Sequence, residues 1–334
     1  MADTASDRTT ELTHSTLATK ALSATLADFK AAAVRISGDA IKTPALPFRQ
    51  PDRRVFLKAE CLQPLGSFKI RAAANALAQA PAAELANGVI TASAGNFGQG
   101  IAQAAKARGL SVDVYVPDTS AKVKVDALRD MGATVHMVSF ADWWQIIMTR
   151  QTGTNGFFVH PVAELAVVIG NGTIGLEIAA QVPDVDTVVV PIGGGGMISG
   201  IALALRAMGK KVRIIGAEIE TSTPLFQAKR AGHPVTVARG ATWIDGIGST
   251  GVLDEMWPML EHLVDEVIVV SHAEAATALR LLARQSHVVA EGAGAVALAA
   301  ALHPSLAGRT VVPVISGGNI DAATYARILL GEDR

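Results

Sequence analysis

The stretch Thr187-Val-Val-Val-Pro-Ile-Gly-Gly-Gly-Gly-Met-Ile-Ser-Gly200 reads as a buried strand, a glycine turn and the start of an apolar helix. A Val-rich run followed at once by glycines, then by alanine- and leucine-rich sequence, is the pattern of a parallel α/β unit. Four consecutive glycines leave no side chain between the backbone N–H groups and a ligand. At a helix start those groups form an anion cradle suited to a phosphate. One or two glycines would satisfy a tight strand–helix turn, whereas four in a row favour phosphate binding. A dinucleotide fingerprint is incomplete here, because Ile198 or Ser199 takes the last glycine place of G-x-G-x-x-G. No G-K-[ST] triphosphate loop occurs either.

The same alternation extends outward along the chain. Strands are expected at Val89–Ala92, Ser111–Val116, Ala133–Val138, Phe157–His160, Thr187–Ile192, Val212–Glu218, Glu266–Val270 and Thr310–Ile315. Helices are expected at Gly98–Arg108, Val123–Met131, Ile174–Gln181, Met197–Met208 and Ala273–Ser286. Leu22–Ile41 also has helical character, ended by Lys42-Thr-Pro44. Ser271 and Glu274 have capping-box spacing, and Gly109 and Gly132 fall where helix C-terminal glycines belong. Such alternation gives the class α/β, with parallel sheets covered on both faces.

Composition narrows the function. The 334 residues are 50% hydrophobic, which excludes wholesale disorder. The 29 basic and 30 acidic residues leave a net charge of −1, so no basic field for nucleic acid and no polybasic membrane patch is expected. The single cysteine, Cys61, excludes an internal disulfide framework and a multi-thiolate zinc site. No apolar run reaches the ~18–20 residues that a spanning helix needs. The first twenty residues are polar and lack a signal-peptide core, so they read as a tail and the protein as cytoplasmic.

Two further glycine-rich segments follow strands: Ser93-Ala-Gly-Asn-Phe-Gly-Gln-Gly100 and Ile315-Ser-Gly-Gly-Asn-Ile-Asp321. In open α/β sheets, ligands bind at the carboxyl ends of strands. A phosphate cradle without a nucleotide signature invites a phosphorylated cofactor with chemistry of its own. Pyridoxal phosphate needs one lysine, and Leu65-Gly-Ser-Phe-Lys-Ile-Arg-Ala72 places Lys69 after a glycine turn and before an apolar helix. Desolvation there would lower its pKa and expose a nucleophilic amine. Taken alone, Lys69 also reads as a solvated lysine at a helix start.

Taken together, Gly66-Ser-Phe-Lys-Ile-Arg71, Ser93-Ala-Gly-Asn96, Gly193-Gly-Gly-Gly-Met197 and Ser316-Gly-Gly-Asn319 stand in the order and spacing of the fold type II pyridoxal-phosphate enzymes. The chain most resembles their serine/threonine dehydratase (ammonia-lyase) and serine racemase branch. Gly170-Asn-Gly-Thr-Ile-Gly-Leu-Glu-Ile178 and Glu291-Gly-Ala-Gly-Ala295 are similar to that branch too, and the resemblance runs from about Lys42 to Asp321.

The resemblance implies a tryptophan synthase β-like α/β fold with two doubly wound parallel-sheet domains. Residues 1–20 would be a flexible tail, 21–87 and 163–334 a large cofactor-binding domain, and 88–162 a small inserted domain closing over substrate. Pyridoxal 5'-phosphate would be the cofactor. Lys69 would form the Schiff base and act as base on one face, with Phe68 against the ring. Asn96 would bond the 3-hydroxyl, Gly193, Gly194, Gly195, Gly196 and Met197 would hold the phosphate, and Ser316 would contact the ring nitrogen. Ser93, Ala94, Gly95 and Asn96 would receive the substrate carboxylate at a helix start.

Several residues depart from that branch. Phe97 stands where it usually has His, Gly292 replaces a common Pro, Ile315 a frequent Cys or Thr, and Val162-Ala-Glu-Leu165 a Phe-Asp-Asp-Pro stretch. Trp243, in Thr242-Trp-Ile-Asp-Gly-Ile-Gly248, takes the place of a small residue and bears on the choice of substrate. Glu218 matches one ligand of a divalent-cation site, but Pro224 sits where an acidic ligand belongs, so no metal is expected. The eight histidines show no H-x-x-x-H spacing; His160 before Pro161 is expected to end a strand, Cys61 to be a buried hydrophobe, and Trp143-Trp144 to cover a helix face.

The expected activity is that of a pyridoxal-phosphate lyase converting a small β-hydroxy amino acid to a 2-oxo acid and ammonia. The alternatives are a serine racemase and a silent amino-acid-binding protein of the same fold. In the serine racemase pattern a serine hydroxyl serves as the second acid/base, and Ala94 at that place favours elimination. No nucleic acid or membrane partner is expected, and the active form is expected to be a homodimer or homotetramer. The chain ends fifteen residues after Asn319, which leaves no expected C-terminal regulatory domain.

Overall fold

A computed structural model describes residues 17–93, 95–120 and 122–333. Ten strands are present among them: β1 (Ala45–Phe48), β2 (Arg54–Lys58), β3 (Val89–Ala92), β4 (Val112–Pro117), β5 (Thr134–Val138), β6 (Phe157–Phe158), β7 (Thr187–Pro191), β8 (Arg213–Ile219), β9 (Glu266–Val270) and β10 (Thr310–Pro313). They form a six-stranded sheet in the order β1-β2-β10-β7-β8-β9 and a four-stranded sheet in the order β5-β4-β3-β6. All pairings are parallel except the edge pair β1–β2. β3 and β7 are buried along their whole length, as Val-rich strands covered on both faces must be.

Strand order locates the ligand crevices. From β7 the chain steps to β8 and β9 on one side, and β10 returns on the other. From β3 it steps to β4 and β5, and β6 returns on the opposite side. Both sheets therefore reverse direction at a strand whose carboxyl end carries a glycine-rich loop, Gly193–Gly196 after β7 and Ser93–Asn96 after β3. Topological switch points are where open α/β sheets bind ligands.

The four-stranded sheet comes wholly from residues 89–158 and the six-stranded sheet from the segments on either side. The apolar core under the smaller sheet also takes in Ile70, Leu77 and Val167, so the core runs across the boundary that sequence places at residue 88. Residues 17–22 are helical, with Ala18 and Ala21 buried against Phe29 and Ala32, so described structure begins inside the stretch expected to be tail up to residue 20. The helix expected over Leu22–Ile41 is shorter, Leu26–Arg35; it restarts at Thr25, whose backbone N–H donates to the Asp28 carboxylate at 2.7 Å.

Behind the site, the Leu165–Gln181 helix crosses three others at very short range. An ideal Cβ on Gly172 would stand 2.3 Å from Phe29 Cε1, and one on Gly175 would stand 2.8 Å from the Ile201 carbonyl. The glycines of Gly170-Asn-Gly-Thr-Ile-Gly175 hid the first half of this helix from the sequence reading, which starts it at Ile174. They are there for close packing, although each weakens helix propensity by ~1 kcal/mol. The π-helical turn Leu282–Ser286 likewise replaces the end of the helix expected over Ala273–Ser286. No described helix is long and apolar enough to cross a membrane.

Gly200→Ala tests this crossing. Its Cβ would lie 2.3 Å from the Val168 carbonyl and 2.8 Å from the Gly172 nitrogen, both backbone atoms with no rotamer to yield. We expect destabilisation on the order of 3 kcal/mol, at the upper end of ordinary overpacking, read as a fall in the urea midpoint. An unchanged midpoint would show that the helices do not approach this closely.

Candidate active site

Lys69 opens the Lys69–Gln79 helix, and the loop before it is zipped to the loop after β10. Phe68 N–H donates to the Ser316 carbonyl at 3.1 Å, and Gly318 N–H donates to the Gly66 carbonyl at 2.8 Å. Gly66 has φ +65°, and a Cβ there would meet Asn319 Oδ1 at 2.5 Å, so this turn admits only glycine. Two residues into the helix, the buried Arg71 guanidinium bonds Glu60 at 2.8 and 2.9 Å and Glu177 at 2.7 and 2.9 Å. Buried Lys58 bonds the same Glu177 and the Thr43 carbonyl.

The Lys69 amine lies 4.9 Å from the centre of the Phe68 ring and 5.6 Å from that of Phe97. Loss of water pulls its pKa down to about 8, against the opposing charge of Glu291. Glu291 is buried, and burial pushes its carboxyl up to about 7 despite the hydrogen bond from Asn96. Asn96 Nδ2 donates to both Glu291 oxygens at 3.1 and 3.0 Å, and Asn96 Oδ1 accepts from Asn319 Nδ2 at 2.9 Å.

A cavity of about 260 Å³ brings together Phe68, Lys69, Ser93, Gly95, Asn96, the four glycines 193–196, Met197 and Ser316. Each is a residue singled out from sequence; Ala94 lies outside the described residues. Gly195 has φ +91° and caps the Gly196–Ala207 helix, so the glycine loop offers helix N-terminal amides to the cavity. A Cβ on Gly194 would fall 2.4 Å from Val162 Cγ2.

Three residues do more than their sequence reading allowed, and a fourth had no reading of its own. His160 lies beyond β6, which ends at Phe158, and it shapes the following turn: its Nδ1 accepts from Val162 N–H at 3.0 Å and Ala163 N–H at 2.7 Å. Burial and the Arg150 charge drop its pKa to about 3, so the neutral ring carries its proton on Nε2. That turn presses Val162 against Gly194. Trp143, expected to cover a helix face, also lines the cavity. Asn171, not singled out before, lines it beside Gly196. Trp243 explains Gly292, because a Cβ at 292 would meet Trp243 Cζ3 at 2.8 Å and Ile244 Cγ1 at 2.6 Å.

Glu218 is committed elsewhere: its oxygens accept from Leu225 N–H at 2.8 Å and Phe226 N–H at 2.9 Å, at a helix start. Cys61 is buried, with its thiol pushed up to about 12 by burial and by the Glu60 charge. A thiol held protonated in this way is a poor nucleophile.

Residues 36–317 match the family of pyridoxal-phosphate dependent enzymes. The chain is 40% identical over 278 residues to an L-threonine ammonia-lyase of Thermotoga maritima, covering 82% of this chain and 69% of that one. It is 34% identical over 303 residues to a serine racemase of Oryza sativa subsp. indica, covering 87% and 89%. The structure of maize serine racemase superposes with a TM-score of 0.82 at 31% identity, covering 92% of this chain and 97% of that one. The structure of a threonine deaminase from T.th. gives 0.82 at 32%, covering 89% and 99%. The chain belongs to the pyridoxal-phosphate dependent enzyme family, has its fold type II architecture, and uses pyridoxal phosphate.

The residues present fit that cofactor. The Ser316 hydroxyl is buried and has no hydrogen-bond partner among the described residues. Such an orphan costs ~1–3 kcal/mol unless a ligand supplies the partner. The glycine loop has room for a phosphate where side chains would block it, and burial brings the Lys69 amine closer to deprotonation than a solvated lysine.

Covalent capture of pyridoxal phosphate, trapped with borohydride and located by mass spectrometry, should occur at Lys69. The free amine is the deprotonated form, so the capture rate should rise with pH and level off above about 8. A rate that climbs until the ordinary lysine range near ~10.4 would show that the amine is fully solvated.

Proposed function

We propose that this chain is an ammonia-lyase of the serine/threonine dehydratase type: a small β-hydroxy amino acid loses its α-proton and β-hydroxyl as water, and the released enamine takes up one water on hydrolysis to give a 2-oxo acid and ammonia. The observation that carries this reading is a desolvated lysine amine held between two aromatic rings, in one cavity with a phosphate cradle and an unpartnered serine hydroxyl. Relatives named threonine ammonia-lyase at 40% and 41% identity support it.

The bound cofactor supplies the electron sink that makes the substrate α-C–H acidic. The chain's own residues do the rest. Gly193–Met197 would hold the phosphate through backbone N–H groups at a helix start. Ser316 would offer the ring nitrogen its unpartnered hydroxyl rather than a carboxylate, so no opposite charge there would stabilise a charged ring. The Ser93–Asn96 loop receives the substrate carboxylate on helix N-terminal amides. Lys69 Nζ accepts the α-proton, which requires the free amine that its lowered pKa provides. Phe68 and Phe97 keep water from that nitrogen. Residues 88–162 act as the smaller unit that closes the site, and the Lys124–Asp245 and Arg150–Glu255 ion pairs bridge it to the rest.

Racemisation needs a second proton carrier on the face opposite Lys69, and Ala94 offers none. A binding protein would have no use for a poised amine. The test is release of 2-oxo acid and ammonia from L-serine, L-threonine and larger β-hydroxy amino acids, with chiral analysis of unreacted serine. Equal yields of the two products, no D-serine, and loss of turnover in Lys69→Ala are expected. D-serine accumulating with little pyruvate would make the enzyme a racemase. A folded Lys69→Ala variant with normal ammonia release would remove the mechanism altogether.

A further inference from the structure

Glu291 precedes the Gly292–Ala301 helix without capping it through its side chain, and it lines both the cavity that holds Lys69 and an adjoining one of about 660 Å³. Among the described residues no cation is hydrogen-bonded to it. Both oxygens face Asn96 Nδ2 instead. Space is made for this carboxyl: a Cβ on Gly317 would fall 2.5 Å from Glu291 Oε1, and one on Gly246 would fall 3.1 Å away.

Asn96 is held from its other end as well. Its Oδ1 accepts from Asn319 Nδ2, which also donates to the Leu65 carbonyl at 2.8 Å. A carboxyl on one side and an anchored donor on the other fix which end of the amide is which. Nδ2 carries two hydrogens, so one nitrogen can serve Glu291 and a second acceptor in the cavity.

We propose that Glu291 is a positioning residue: it fixes the Asn96 amide toward the cofactor and, by holding or releasing a proton on its own carboxyl, sets the charge felt by Lys69 and the cofactor. This rests on the reading that Asn96 faces the cofactor's 3-hydroxyl, not on which reaction follows.

The titratable and charged groups around Glu291 are Lys69, Asp245, Lys124 and Cys61. Burial, then the Asp245 charge, raises the Glu291 pKa, while Asn96, Lys124 and Lys69 oppose the rise, leaving it about 7. Below that pH the carboxyl is neutral and no longer opposes the fall in the Lys69 pKa that burial causes. Above it, the carboxylate favours the protonated amine and adds a negative charge beside the cofactor.

The experiment is a pH titration of the visible absorption of the holoenzyme without substrate, for wild type, Glu291→Gln and Glu291→Asp. Wild type should show a transition with a midpoint above the ordinary carboxylate range, the direction in which burial pushes Glu291. Glu291→Gln should lose that transition and keep the wild-type acid-side spectrum at every pH, because an amide does not ionise. Glu291→Asp should keep a transition with a displaced midpoint. A wild-type midpoint retained in Glu291→Gln, or no transition in wild type, overturns the proposal. If Glu291→Gln does not load cofactor, an undisplaced midpoint in Glu291→Asp overturns it alone. The readout needs no turnover, so it stands apart from the ammonia-release assay that tests the lyase reading.

Discussion

The Arg71 guanidinium, 1% exposed, is shared between two carboxylates that come from different parts of the chain. Glu60 lies in the loop after β2, and Glu177 lies in the long helix that crosses behind the site. Lys58, wholly buried, joins the same Glu177. Despite burial, the Arg71 and Lys58 charges and the Arg71 hydrogen bonds hold the Glu60 carboxyl below its ordinary value. Such a network is weak evidence for net stability, but removing one member strands buried charge at ~3–5 kcal/mol. Its consequence for function is geometric. It pins the first turn of the Lys69–Gln79 helix, so Lys69 faces the crevice rather than solvent.

Around that fixed lysine the two sheets contribute complementary halves. The six-stranded sheet brings the Gly193–Gly196 loop and Ser316, and the four-stranded sheet brings the Ser93–Asn96 loop and Phe97. Each half sits at the strand where its sheet reverses direction, which is why loops far apart in sequence converge on one amine. Glycine recurs there for contact as much as for turning. Val162 fills the space beside Gly194, and Trp243 fills the space beside Gly292, so neither position could carry a Cβ without displacing its neighbour.

Much of this was legible in the sequence, for physical reasons that can be traced. The Val-rich strands announce a buried parallel sheet, and the run of four glycines announces the strand–helix turn that lines the cavity. The Ser271–Glu274 capping box forms, with Ser271 N–H donating to Glu274 at 2.8 Å. Gly109 and Gly132 adopt positive φ at helix ends, at +67° and +89°. The β1–β2 pair was missed, being short, interrupted by Pro47 and placed at a sheet edge. His160 could have been flagged only by the proline after it, since its role lies in two backbone N–H groups. Glu291 was quoted within a motif, but its partnership with Asn96 spans 195 positions and no local pattern reveals it.

The crystal structure of the holoenzyme is the most direct measurement of whether this crevice is built around the cofactor. Electron density should run continuously from Lys69 Nζ into the cofactor, with the phosphate on the N–H groups of residues 193–197. The Ser316 hydroxyl should lie within hydrogen-bond distance of the ring nitrogen. A phosphate seated away from the glycine loop, or a ring nitrogen facing any group other than Ser316, would contradict it.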